Sequence, residues 1–87
     1  MNRDGYENIT NTQIKAVIDE YIHSERDRII LTLNLVDGWT YQQISDYLYK
    51  LDMDNRAKGL FTHYELSPKV IGRRITKLEK TVFHNLQ

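Results

Sequence analysis

Apolar residues recur with the period of an α-helix in four segments of this 87-residue chain. In the first segment Ile14, Val17, Ile18, Tyr21 and Ile22 occupy positions i, i+3, i+4, i+7 and i+8. That spacing places the side chains on one face of a helix, where they can be buried together. The pattern therefore predicts an all-α protein.

Residues that favour helix ends stand between these segments. Asn11 and Thr12 can cap the first helix, and Ser24 with Asp27 three positions later is a weak form of the capping pattern that begins a helix. Gly38 has no Cβ, so it tolerates the left-handed conformation that often ends a helix. These signals bound a short first helix and a densely apolar second helix.

Two more signals begin the last two helices. Thr40 and Gln43 form a capping box, and Ser67 precedes Pro68, whose missing N–H needs no partner at the first helical position. The predicted helices span residues 12–23, 25–37, 41–51 and 68–85, within a single domain of residues 1–87.

The segment between the last two predicted helices has no clear pattern. Residues 52–66 follow neither the helical nor the strand period, and Gly59 stands among polar residues there. This segment is predicted to be a long loop, with a short extended piece from Leu60 to Tyr64.

Size and composition exclude several classes of protein. A chain of 87 residues forms one small domain. It contains no cysteine, which excludes disulfides, zinc-thiolate sites and thiol catalysis. No run approaches the ~18 apolar residues of a membrane helix. We therefore expect a cytoplasmic protein with no membrane partner.

The net charge of zero conceals two halves of opposite sign. Residues 1–55 contain ten acidic and five basic residues, whereas residues 56–87 contain two acidic and seven basic residues. In the last predicted helix the polar residues form a stripe roughly 100° wide, opposite an apolar face. A helix with one packed face and one basic face indicates nucleic acid as the partner. The basic stripe consists of Lys69, Arg73, Thr76, Lys77 and Lys80.

The sequence lacks the patterns of catalytic and metal sites. His23, His63 and His84 are scattered, and no two of them are four residues apart. No nucleophile motif and no glycine-rich phosphate loop occurs. We expect no enzyme activity, no metal and no cofactor.

Two blocks of the chain, which together cover roughly half of it, carry an ordered series of residues. The first block comprises Glu25, Arg26, Asp27, Arg28, Ile30, Leu31, Leu33, Val36, Asp37, Gly38, Trp39, Thr40, Tyr41 and Ile44, and the second comprises Leu66, Ser67, Ile71, Arg74 and Ile75. The two blocks resemble the C-terminal, promoter-reading (region four-like) helix-turn-helix domain of bacterial sigma factors and related small phage regulators. The turn motif with its Gly, Thr and Tyr is the more specific of the two.

The chain departs from that family between the two helices of the motif. A helix-turn-helix has a connection of about three or four residues, whereas about fourteen residues separate Leu51 from Leu66 here. Either the third helix is longer and a wing-like loop precedes a normal recognition helix, or the helices meet differently and the DNA-reading geometry is lost. The intact caps and apolar stripes on both sides favour the first alternative. The predicted fold is a four-helix, helix-turn-helix-like domain with an expanded turn.

The resemblance implies roles for residues of the last helix and of the loop. Arg73 is the first candidate for base reading, because a guanidinium can pair with two acceptors of guanine. The candidates for base reading are Ser67, Lys69, Gly72, Arg73 and Thr76, and those for phosphate contacts are Arg56, Lys58, Arg74, Lys77 and Lys80.

The resemblance implies a small stand-alone transcription regulator of phage or mobile-element type, with its fourth helix in the major groove of double-stranded DNA. It also implies RNA polymerase as a partner. A module this small needs more contacts for specificity, so we expect a homodimer or a second partner. The candidate self-association residues are Tyr21, Ile22, Val82, Phe83 and Leu86.

The alternative is a phage-type protein-binding module that inhibits a host protein, such as RNA polymerase or a defence nuclease, without binding DNA. The loop aromatics and the acidic half of the chain favour this alternative. Its candidate residues are Phe61, His63 and Tyr64.

Overall fold

The computed structural model describes residues 9–86, which form four α-helices and no strand. The all-α prediction is confirmed. The helices are α1 (Asn11–Tyr21), α2 (Glu25–Leu31), α3 (Tyr41–Ala57) and α4 (Pro68–His84), and a π-helical turn, Thr32–Val36, continues α2. None of the helices in the described part of the chain is long and apolar enough to cross a membrane.

A capping box begins α1, one or two residues before the positions predicted. The Thr10 hydroxyl accepts a hydrogen bond from the Gln13 amide at 3.2 Å, and the Gln13 side chain accepts one from the Thr10 amide at 2.7 Å. At the other end, the Arg28 guanidinium donates to the carbonyls of Ile22 and, at 3.0 Å, Asp19. Arg28 therefore satisfies carbonyls that the helix itself cannot pair.

The turn between α2 and α3 follows the sequence signals closely. Gly38 adopts a φ of 72°, as expected after a helix. The Trp39 amide donates to the Leu33 carbonyl at 2.9 Å, and the Asn34 side chain donates to the Trp39 carbonyl at 3.0 Å. The capping box of Thr40 and Gln43 then begins α3, as predicted.

The predicted end of the third helix is wrong, because α3 continues for six residues beyond Leu51 to Ala57. Gly59, with a φ of 82°, ends this helix in the same way that Gly38 ends the preceding one. The connection to α4 is therefore residues 58–67, which we call the α3–α4 loop. This loop has ten residues rather than fourteen, and the structure shows no strand within it. The short extended piece from Leu60 to Tyr64 stays a prediction.

Asp52 on α3 fixes the α3–α4 loop. Its carboxylate accepts hydrogen bonds from the Thr62 hydroxyl at 2.6 Å and from the amides of Tyr64 and Glu65 at 3.0 and 2.9 Å. Ser45, also on α3, donates to the Leu66 carbonyl at 2.7 Å. The loop is consequently an ordered part of the fold.

The loop is also tied to the start of α2. The Tyr64 hydroxyl donates to the Glu25 carboxylate at 2.6 Å, and Arg26 donates to the His63 carbonyl at 3.3 Å. The loop therefore bridges α2 and α3 before α4 begins.

One core joins all four helices, and α4 packs against each of the other three. Ile22, Val82 and Phe83 are buried in that core, so they cannot form the self-association surface that was predicted. The buried apolar residues are Ile14, Ile18, Ile22, Ile30, Leu31, Leu35, Ile44, Leu48, Ile71, Ile75, Val82 and Phe83.

Candidate nucleic-acid interface

The fourth helix begins as its sequence predicts. The Ser67 hydroxyl accepts a hydrogen bond from the Val70 amide at 3.3 Å, and Pro68 occupies the first turn. Ile71, Ile75 and Val82 are buried, so one face of α4 belongs to the core. The opposite face is left for the polar residues.

That opposite face is the basic stripe predicted from the sequence. None of its cations forms a salt bridge with any residue between 9 and 86, and an unpaired cation on an ordered helix is free to meet a phosphate. We call this surface the basic face. Its exposed residues are Lys69, Arg73, Thr76, Lys77 and Lys80.

A shallow groove runs along the basic face and is closed on one side by α3. Tyr41, at the start of α3, lines this groove together with Arg73, Thr76 and Lys77. The tyrosine remains 40% exposed, so its ring and hydroxyl are accessible from the groove. Sequence analysis did not assign Tyr41 to the site. Its position after the Thr40 cap predicts a helix start but does not show which helix lies beside it.

Gly72 permits the close contact between α3 and α4. A Cβ at this position would lie 2.8 Å from Cε2 of Tyr41, which is closer than side chains pack. The glycine in this helix therefore makes room for the Tyr41 ring. Gly72 was predicted as a base-reading candidate, and its close neighbour in this structure is the Tyr41 ring of α3.

Arg74 differs from its neighbour Arg73. Its guanidinium pairs with the carboxylate of Asp27 on α2 at 3.3 Å, and the Asp27 side chain is only 12% exposed. The pair joins two packed helices, so Arg74 supports the fold and is not a free phosphate contact. The prediction of Arg74 as a phosphate contact is not supported by this position.

Two other candidates on α4 use their hydroxyl groups within the protein. The Ser67 hydroxyl caps the helix, and the Thr76 hydroxyl donates to the Gly72 carbonyl at 2.9 Å. Both residues are exposed on or beside the basic face. Among the base-reading candidates, Lys69 and Arg73 are the cations, and neither forms a salt bridge with a described residue.

Arg56 and Lys58 lie apart from the basic face, at the end of α3 and the start of the α3–α4 loop. Both are exposed. Arg56 lines a recess together with Tyr49 and His63. Because α3 continues to Ala57, Arg56 lies on a helix and not on the loop that was predicted.

The three candidate residues for a protein partner have different environments. Phe61 is 74% exposed, the largest value among the exposed apolar residues of the described chain. Tyr64 is half-buried, and its hydrogen bond to Glu25 raises the pKa of the Tyr64 hydroxyl above its ordinary value. The His63 side chain is exposed, but its carbonyl is bound by Arg26. Phe61 alone combines a large apolar side chain with free access.

Asp52 was not recognised from the sequence, although it organises the loop. Burial acts to raise the pKa of Asp52, but the hydrogen bonds from Thr62, Tyr64 and Glu65 outweigh it and lower that pKa below its ordinary value of 3.8. The carboxylate is therefore stabilised in its charged form. If Gly59 had been taken as the signal that ends the third helix, the sequence would have placed Asp52 on α3 rather than in the loop.

Comparisons with protein families, with curated proteins and with solved structures found no match. Among residues 9–86 no cluster of His, Asp and Glu is suited to hold a metal ion.

Proposed function

We propose that this protein is a small DNA-binding transcription regulator of helix-turn-helix type, in which α4 is the recognition helix. The observation that carries the proposal is the basic face, where four cations on one ordered helix are exposed and unpaired within the described chain. Unpaired cations on one helix face suit a ladder of phosphates.

The relation between α3 and α4 supports the same proposal. Ser45 and Tyr41 on α3 contact the start and the first turns of α4, so α4 crosses α3 with its outer face uncovered. An exposed helix supported from behind by a second helix is the arrangement that enters a major groove. The resemblance to sigma-factor domains and phage regulators agrees with this arrangement.

In this proposal Arg73 reads bases, since it lines the groove together with Gly72 and Thr76 and its guanidinium can pair with two acceptors of guanine. Lys69, Lys77 and Lys80 contact phosphates and position the helix. RNA polymerase or a second copy of the chain would add the contacts that a single small module lacks.

The test is salt-dependent binding of the purified protein to a fluorescent DNA fragment from the region around its own gene, with a scrambled duplex as control. Four exposed cations lie on α4, and Arg56 and Lys58 bring the number to six. Six neutralised phosphates predict a slope of log K against log salt of about −4 to −6. The native fragment should bind more tightly than the scrambled duplex. Absence of binding at low salt would reject the proposal.

A second candidate function is docking on a host protein without DNA binding. The observation that favours it is the tip of the α3–α4 loop, where Leu60 and Phe61 are 56% and 74% exposed on an ordered backbone. Exposed apolar residues on a rigid loop are typical of anchors at protein interfaces. Loss of partner binding in Phe61→Ala, with unchanged behaviour in Arg73→Glu with Lys77→Glu, would establish this alternative.

A further inference from the structure

Two large apolar residues at the tip of the α3–α4 loop face the solvent, although the rest of the loop is held by the protein. Asp52 binds Thr62, Tyr64 and Glu65, and Leu66 packs against the core, while Leu60 and Phe61 at the tip remain exposed. The loop therefore presents an exposed apolar tip in a fixed position, and a contact that is already in place costs less to bind than one that must first be ordered.

The loop and α4 lie on the same side of α3. Tyr41, Ser45, Asp52 and Arg56 are at positions i, i+4, i+11 and i+15, which fall within about 60° of one another around a helix. Tyr41 contacts α4 at Gly72, and Ser45 contacts the residue before the Ser67 cap. Asp52 and Arg56 face the loop. One side of α3 thus carries the recognition helix at one end and the loop at the other.

The separation of these two elements along α3 is comparable to half a turn of DNA. Tyr41 borders the basic face, and Asn55 accepts a hydrogen bond from the Leu60 amide at the loop tip. Fourteen residues of helix separate Tyr41 from Asn55, which corresponds to about 21 Å. The minor groove that flanks an occupied major groove is about half a helical turn away, roughly 17 Å.

The charges near the tip suit a nucleic acid. Arg56 and Lys58 are exposed immediately before Leu60 and Phe61. Proteins that contact the minor groove combine cations on the phosphates with an apolar side chain inserted between bases. The tip of the loop has both components next to each other in the chain.

We propose that the α3–α4 loop is a second DNA-binding element, with Arg56 and Lys58 on phosphates and Phe61 in the minor groove beside the major groove that α4 enters. This inference rests on the proposed DNA-binding function and adds a separate contact to it. It accounts for the expanded connection, since a short turn could not reach the flanking groove.

The experiment measures the affinity and the salt slope of loop variants on the preferred duplex fragment. Phe61→Ala should weaken binding on the order of tenfold without changing the salt slope, because the side chain is uncharged. Its control is Tyr47→Ala, which removes an exposed aromatic ring beside Trp39, away from the basic face and the loop. Arg56→Ala with Lys58→Ala should make the slope shallower by about 1.8, whereas Lys15→Ala with Lys50→Ala should not.

Footprinting with hydroxyl radicals locates the contact. The wild-type protein should protect a flanking minor groove, and that protection should be lost in Phe61→Ala while the protection centred on α4 remains. Phe61 is exposed, so thermal unfolding of the variant should match that of the wild type.

The outcomes separate this inference from the function on which it rests. If the loop variants behave like their controls while Arg73→Glu with Lys77→Glu abolishes binding, the loop is not a DNA contact and the regulator remains. If the wild-type protein does not bind duplex DNA, both proposals fail. A loop that binds a protein instead would show loss of that binding in Phe61→Ala and no change on DNA, which also overturns the inference.

Discussion

Arg73 and Arg74 are adjacent in the sequence but lie on two different faces of α4. Arg74 faces α2 and pairs with the carboxylate of Asp27 at 3.3 Å. Arg73 is exposed in the groove of the basic face, beside Tyr41. The comparison shows that charge on a helix does not by itself indicate a binding site. The position of each arginine relative to the core decides whether it pairs within the fold or stays exposed to solvent.

Reversing charge on the basic face should have the largest effect. Arg73→Glu with Lys77→Glu should weaken DNA binding by a factor of at least about 100, because phosphate contacts become repulsions. Fluorescence anisotropy measures the affinity, and circular dichroism should show an unchanged melting temperature. Lys15→Glu with Lys50→Glu changes the net charge equally at distant sites. An equal loss of binding in that control would show that total charge, and not the basic face, determines binding.

Removing the paired arginine should give the opposite result. Arg74→Ala should lower the free energy of unfolding by about 1 to 2 kcal/mol, because the buried Asp27 loses its partner while the exposed part of Arg74 was already screened by water. Chemical denaturation measures this change. Arg73→Ala is the matched control and should unfold like the wild type. If Arg74→Ala makes the salt slope shallower as much as Arg73→Ala does, the distinction between the two arginines is wrong.

The loop offers a pH-dependent prediction. The pKa of Asp52 is lower in the folded protein than its ordinary value of 3.8, so its hydrogen bonds stabilise the fold above that value. This contribution should be lost as the pH falls below 3.8 and the carboxylate becomes protonated. At neutral pH, Asp52→Ala should lower the free energy of unfolding by about 1 kcal/mol.

The neighbouring exposed Asp54 provides the control for this prediction. Asp54→Ala should have the same stability as the wild type at neutral pH, and its stability should fall in acid as the wild type's does. Asp52→Ala should lose less stability than either between neutral and acid pH. Parallel pH profiles for Asp52→Ala and the wild type would contradict the role assigned to Asp52.

The smallest effect concerns the contact between α3 and α4. Gly72→Ala adds a Cβ that would lie 2.8 Å from the Tyr41 ring, although alanine favours a helix by up to about 1 kcal/mol. The two effects should nearly cancel in the wild type. In a Tyr41→Ala background the clash is gone, and Gly72→Ala should stabilise the protein by about 0.5 to 1 kcal/mol. Additive effects in this double-mutant cycle would show that the ring does not occupy that position.

The sequence predicted the parts of the fold that depend on local signals. The capping box of Thr40 and Gln43, the left-handed Gly38 and the Ser67 cap each involve residues close together in the chain, and each is confirmed. The end of α3 was missed because residues 52–57 are mostly polar. None of them is buried, so this last part of the helix has no apolar stripe by which the sequence could reveal it. Gly59 was the local signal that indicated the true end.

The site was predicted only in part, for a related reason. Helical periodicity placed Lys69, Arg73 and Lys80 on one face, and they are exposed there. Periodicity could not show that Arg74 meets Asp27, since these residues are 47 positions apart in the chain. The contact of Tyr41 with Gly72 also joins distant segments. Partners of this kind follow from how helices pack, which the pattern within one helix does not determine.

The most direct test of the central claim is a titration of the ¹⁵N-labelled protein with duplex DNA, followed by NMR. If DNA binds to the basic face, the amide chemical shifts should change most at Lys69, Arg73, Thr76 and Lys80. The amide chemical shifts of the exposed residues of α1 should not change. Shifts concentrated around Trp39 and Tyr47, or no shifts at low salt, would contradict the assignment of α4 as the recognition helix.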